Sequence, residues 1–321
     1  VVFSAPLAFL LFGIAAIVWG TKIVLDNAVV VAHHHRISDF FVGVVVLAVG
    51  SDLPELVVSL DAALRQLAGQ STSGLIVGNA IGSCFGQLGL CIGLAGIVGA
   101  LTVPTLRLVH HGGVLLAATG LLALVGLDGH VNRYEGIGLM LVFAAYVYSV
   151  LHQEGLVTGV RSLEADEERA QRNVLANWLR LGVGIAVVVF SAELIVRMAM
   201  TLAIQWGVDQ SFIGIAIVGV GTSLPEVVIS VAAVMRRRVG MSVGNLIGSN
   251  VLDTLLPVGM AATVAPIDFP HAILVFDLPM LLGLTLLVLV FLALPKGVRW
   301  PQAAVVLAAY GSYLVTLSRS L

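Results

Sequence analysis

Glu55, Glu226 and Asp253 each sit in a run of apolar residues. An ionised side chain there is costly unless it is paired, protonated or in use. Hydroxyls and an amide accompany them at helical spacing: Ser51 precedes Glu55 by one turn, Thr222 precedes Glu226, Ser83 precedes Gln87, and Ser249 precedes Asp253. Residues so spaced share a helix face. Asp52 and Ser223, three residues ahead of the two glutamates, fall on the same side. All of these groups present oxygen, and the one thiol nearby, Cys84, stands where the second set has Asn250. Oxygen-only ligation suits hard cations such as Ca²⁺, Na⁺ or Mg²⁺ rather than zinc or copper. Carboxylates from the two sets, with freed backbone carbonyls, could converge into a Ca²⁺ cage of about six to eight oxygens.

The elements that must position these groups are broken helices. Gly50-Ser51-Asp52-Leu53-Pro54-Glu55 is echoed by Gly221-Thr222-Ser223-Leu224-Pro225-Glu226. Pro54 and Pro225 have no N–H to give, which frees the carbonyls of Gly50 and Gly221. Irregular backbone at membrane depth is tolerated where protein buries it or where it lines a cavity. The echo extends further. A shift of 171 lays Gly43–Leu60 on Gly214–Val231, and after five fewer residues in the second half Gly78-Asn79-Ala80-Ile81-Gly82-Ser83 falls on Gly244-Asn245-Leu246-Ile247-Gly248-Ser249. Asn79, Asn245 and Asn250 are read as groups that tie helices together, and the glycine pairs as small-xxx-small packing devices. The same shift places Lys22 and Asp26 on Glu193 and Arg197 with signs exchanged. Each pair shares a helix face and partly neutralises itself, as a structural or gating pair.

The chain is 59% apolar and 11% charged, with a mean hydropathy of +1.06. Soluble domains carry about a quarter charged residues, so an all-α polytopic membrane protein is expected. A net charge of −2 argues against a nucleic-acid partner. Ten spans of about 20 residues or more are read at 5–32, 38–65, 74–101, 106–127, 134–152, 174–206, 211–235, 240–265, 271–294 and 301–319. The first is too long for a cleaved leader. The charged stretch 153–173 reads as a linker between halves 1–152 and 174–321, which carry the repeats at about 43–100 and 214–265. Five spans per half is an odd number, so the halves enter the membrane from opposite sides as an inverted repeat. Arg36, Arg107, Arg161, Arg169, Arg172, Arg180, Arg236, Arg237, Arg238, Lys296 and Arg299 fall on one side, against Arg65, Arg133 and Arg319 on the other. The positive side belongs inside, which puts both termini outside and the linker in the cytoplasm. Cys84 and Cys91 have neither zinc nor disulfide spacing and read as packing residues. His110 and His111 open the fourth span and read as interfacial.

The two blocks resemble the α-repeats of the cation/calcium exchanger superfamily, most nearly its prokaryotic sodium/calcium antiporters. GTSLPE…GNLIGSNVLD keeps the pattern at every polar position, and the likeness covers nearly the whole chain. The resemblance implies a secondary antiporter that exchanges Ca²⁺ for Na⁺ by alternating access. It needs no cofactor, partners only inorganic cations and the bilayer, and acts as a monomer. It implies a mid-membrane site in which Glu55 and Glu226 bind Ca²⁺ with Asp253. Ser51, Ser83, Thr222, Ser223, Ser249 and carbonyls near Ala48 and Gly219 would complete the divalent and flanking sodium sites. The first and sixth spans would slide to open it to either side. The compact chain with small loops points to a prokaryotic inner membrane.

The first repeat departs from this pattern at Asp52, where Ser is usual, at Cys84, where Asn is usual, and at Gln87, where Asn or Asp is usual. Four carboxylates would then face one cavity, two more charges than one Ca²⁺ cancels, so one acid is expected to hold a proton. Asp52 therefore opens an alternative, H⁺ coupling, beside that of a diverged transporter with altered coupling. A passive pore is disfavoured by the lack of charged rings at the span ends. A membrane enzyme is disfavoured by the lack of a nucleophile–base pair.

Overall fold

The computed structural model describes residues 4–35, 37–156, 174–206 and 223–320. Its described part is almost wholly helical. A helix falls on each expected span: α1 (Ser4–His35), α2 (Asp39–Ser51) continuing into α3 (Leu53–Leu67), α4 (Ser73–Val98), α5 (Thr105–Val125) and α6 (Arg133–Leu156). The second half follows with α7 (Val174–Gln205), α8 (Leu224–Met235), α9 (Val239–Val264), α10 (Ile273–Ala293) and α11 (Trp300–Ser320). Seven of these are long and apolar enough to cross a membrane, and the α2–α3 pair makes an eighth if counted as one bent span. The first part of the seventh expected span and most of the linker lie outside the described residues.

The centre of the molecule is α9, most of whose residues are buried. Glycine is what lets its neighbours approach. A Cβ on Gly244 would run into the Phe40 carbonyl, one on Gly248 into Val44, and one on Gly43 into the Met241 carbonyl. The matching Gly78 and Gly82 meet no described atom, and the stretch that corresponds to Phe40 and Val44 lies in the undescribed 211–215. α1 packs along α7 as a pair set beside this core, with Val24, Leu25, Ala28, Leu181 and Val188 buried between them. Wider π-helical turns interrupt α2 at Val42–Leu47, α4 at Gly86–Cys91 and α10 at Ile273–Asp277. Such turns concentrate at functional sites.

The connections pair with one another in two separate groups. β1 (His130–Val131) and β2 (Ile267–Asp268) form a short antiparallel ladder, and Gln66 and Ser73 bond to the same stretch around Pro266 and Asp268. Elsewhere Leu101 bridges Val298, Arg238 meets Asp39 at 3.3 Å, and Trp178 donates to His35. Numbered by order along the chain, with α2 and α3 taken as one span, the contacts named here join even connections to even ones and odd to odd among the described residues.

Candidate functional site

The chain breaks where the prolines require it. α2 stops at Ser51, α3 starts at Leu53, and the two axes differ by 44°. Asp52, the residue at the break, has φ −84° and ψ 2°; Ser223, directly ahead of α8, has φ −88° and ψ 8°. Both repeats thus use the same sparsely populated bridge conformation, which many active-site residues adopt. Pro54 and Pro225 lie in the first turn of the following helix, where a missing N–H does no harm. Glu55 and Glu226 share those first turns, where the aligned peptide dipoles favour a negative side chain.

The expected ligands gather in one buried region. Ser51, Asp52, Gln87, Ser223, Glu226, Ser249, Asn250 and Asp253 are wholly shielded, and Glu55 and Ser83 are nearly so. Both carboxylate oxygens of Asp52, Glu55 and Glu226, one of Asp253, and the side-chain oxygens of Ser83, Gln87, Ser223, Ser249 and Asn250 find no hydrogen-bond partner. All of these atoms are oxygens. Buried polar atoms are nearly always satisfied, so such a concentration marks a place for something electropositive. Asp52 is close enough to Glu55, Glu226 and Asp253 for their charges to repel.

The two repeats interlock here. Gln87 Nε2 donates to Asp253 Oδ2 across 2.8 Å, leaving its own carbonyl oxygen free. Gly86 lets the wide turn of α4 come up against the Ser223 hydroxyl, where a Cβ would collide. Among the described residues no three His, Cys, Asp or Glu side chains are already gathered as a metal cluster. A cation held here would draw on hydroxyl, amide and carbonyl oxygens as much as on carboxylates. The Ala48 carbonyl accepts from Asp52 N–H at 3.0 Å and from the Ser51 hydroxyl at 3.4 Å. Gly219 and Thr222 lie outside the described residues.

The asparagines read as ties make matched contacts. Asn79 Nδ2 donates to Ser59 Oγ at 3.4 Å, and Asn245 Nδ2 to Ser230 Oγ at 3.1 Å, the same bond in each repeat. Asn250 ties back to the Leu246 carbonyl, and Cys84 Sγ lies 3.4 Å from Thr254 Oγ1. Cys84 and Cys91 are buried free thiols. Glu193 and Arg197 pair within their helix. Lys22 and Asp26 do not: Arg236, at the end of α8, takes Asp26 instead, because α8 packs across α1 at that level.

Two polar pairs escaped sequence reasoning. Asp277 accepts the Tyr313 hydroxyl at 2.9 Å, and His111 Nδ1 stands 3.1 Å from the Tyr146 hydroxyl. His111 is buried, not interfacial, since α6 covers it. A lone Asp in the apolar run of α10 was the available signal for the first pair; the second had none, because the run of α5 gives no hint of which flank α6 covers.

The sequence profile of the family described as sodium/calcium exchanger protein matches residues 5–151 and 176–319. A membrane protein of Methanocaldococcus jannaschii is 30% identical over 94% of each chain. The sodium/calcium exchanger MaX1 of Methanosarcina acetivorans is 25% identical over 96% of this chain and 97% of its own. Among solved structures, the sodium-calcium exchanger NCX_Mj, soaked with Na⁺ and Ca²⁺, superimposes with a TM-score of 0.82 at 26% identity over 98% of this chain and 99% of that one.

Proposed function

Because the chain belongs to the sodium/calcium exchanger protein family, we propose that it is a secondary antiporter that moves Ca²⁺, or a related divalent ion, in exchange for Na⁺. The observation that carries this reading is the cluster of unpartnered buried oxygens where the two repeats meet. Glu55 and Glu226 bind the divalent ion, with Asp253 beside them. Ser51, Ser83, Ser223, Ser249 and Gln87, with Thr222 and the Gly219 carbonyl from the undescribed stretch, complete the oxygen set. Four carboxylates without a cation would face an apolar barrier on changing sides, so the carrier turns over only when loaded.

An inverted five-plus-five arrangement accounts for the two groups of connections. Contacts between connections of equal parity alone are what ten full crossings require, with the second half starting on the opposite face from the first. The charge asymmetry supports a cytoplasmic face at Arg236, Arg237 and Arg238, with the 153–173 linker on it and both termini outside, and the small loops support a prokaryotic inner membrane.

H⁺ in place of Na⁺ is the second reading, and one observation favours it. Asp52 is an extra wholly buried acid, and neither of its carboxylate oxygens has a hydrogen-bond partner. The deciding experiment is ⁴⁵Ca²⁺ uptake into proteoliposomes under an outward Na⁺ gradient and, separately, an outward H⁺ gradient. Uptake driven by Na⁺ supports the first reading, and uptake driven only by H⁺ the second. Folded protein that takes up no Ca²⁺ under either gradient overturns both.

A further inference from the structure

An open groove lies away from the acidic cluster, between α1, the end of α4 and α8. It has a volume of about 1000 Å³ and is walled by Val18, Trp19, Ile97, Val98, Val231 and Met235, most of them well exposed. That is the size of a ligand pocket, for which ~300–1,000 Å³ is usual. Two cations line it, Lys22 and Arg236. Arg236 is neutralised by Asp26. Lys22 is not: its neighbour one turn on is the carboxylate that Arg236 has taken, and Lys22 makes no ion pair with any described residue. In the other half the matching Glu193 keeps Arg197. An unmatched ammonium on the wall of an apolar groove in a membrane helix is costly unless an anion meets it.

We propose that this groove binds one anionic phospholipid, its acyl chain between α1, α4 and α8 and its phosphate on the Lys22 ammonium beside the Asp26–Arg236 pair. Trp19, Lys22 and Asp26 follow one face of α1, so chain contact, headgroup contact and rim succeed each other along the helix. An acyl chain suits the apolar walls, and one negative headgroup suits the one unmatched charge. A neutral lipid would satisfy the walls and leave Lys22 as it is.

Trp19 reports on this directly. With Trp178, Trp206 and Trp300 replaced by Phe, Trp19 is the sole tryptophan of the four. The full-length protein is titrated in mixed micelles with phosphatidylglycerol or phosphatidylcholine carrying brominated chains. Phosphatidylglycerol is expected to quench Trp19 with about fivefold higher apparent affinity, the size of one cation–lipid contact. Lys22→Gln should erase that preference, and Lys22→Arg should keep it. Equal quenching by the two lipids would mean ordinary solvating lipid and overturns the proposal. So does an absence of quenching, which would mean that protein fills the groove, or a preference that survives Lys22→Gln. None of these readings depends on transport.

Discussion

Asp52 is the residue on which the choice of coupling ion turns. If it carries a proton during exchange, Asp52→Ser, which restores the usual residue of the family pattern, should flatten the pH dependence of ⁴⁵Ca²⁺ uptake and leave Na⁺ as the driving ion. An unchanged pH profile and selectivity would remove the H⁺ reading. Gln87 makes a different prediction. Its loss in Gln87→Ala leaves Asp253 without its donor, which should cost about 1–3 kcal/mol of stability in ion-free protein. Added Ca²⁺ should recover part of it by taking the amide's place, so the melting temperature should fall more without Ca²⁺ than with it. The acids and hydroxyls were readable in the sequence because each interrupts an apolar run, and their number in one place was readable from the repeat. Asp277 was not read with them, since it belongs to no repeated motif and only the structure shows that Tyr313 satisfies it.

The breaks in the helices were the most legible elements, because a proline in an apolar run has few explanations. That Asp52 and Ser223 would adopt one backbone conformation followed from their alignment. The π-turns left no trace in the sequence, since a wider turn needs no special residue. The glycines taught a finer lesson. Gly78, Gly82, Gly244 and Gly248 look alike on paper, yet in the described residues it is Gly244 and Gly248 that touch backbone. Gly244→Ala should therefore destabilise the protein by about 1–3 kcal/mol, since the Phe40 carbonyl it would strike cannot rotate aside. Gly283→Ala, which meets no described atom, should not. Thermal unfolding of the two variants in detergent would check the contrast, and equal melting points would refute it.

At the scale of the whole molecule, composition announced the membrane and the 171-residue echo announced two halves. What the echo concealed was their inequality. Asp26 and Arg236 join α1 to α8; the positions that match them in the other half are Arg197 and Arg65, two cations, each engaged by an acid of its own helix. Sequence spacing pointed to Lys22 as the partner of Asp26, because a pair within one helix is visible along the chain and a pair between helices is not. Asp26→Asn should loosen α1 from α8. Spin labels at Val18 and Met235, both exposed on the two helices, should then show a longer or broader distance distribution. An unchanged distribution would make the contact incidental.

That one clasp has a consequence for how the carrier idles. No contact within a catalyst of exchange decides how far exchange proceeds, since the ion gradients alone set the end point. It does decide where an unoccupied carrier waits. A chain clasped between α1 and α8, while the cations at the matching positions each keep an acid of their own helix, is not balanced when it waits empty.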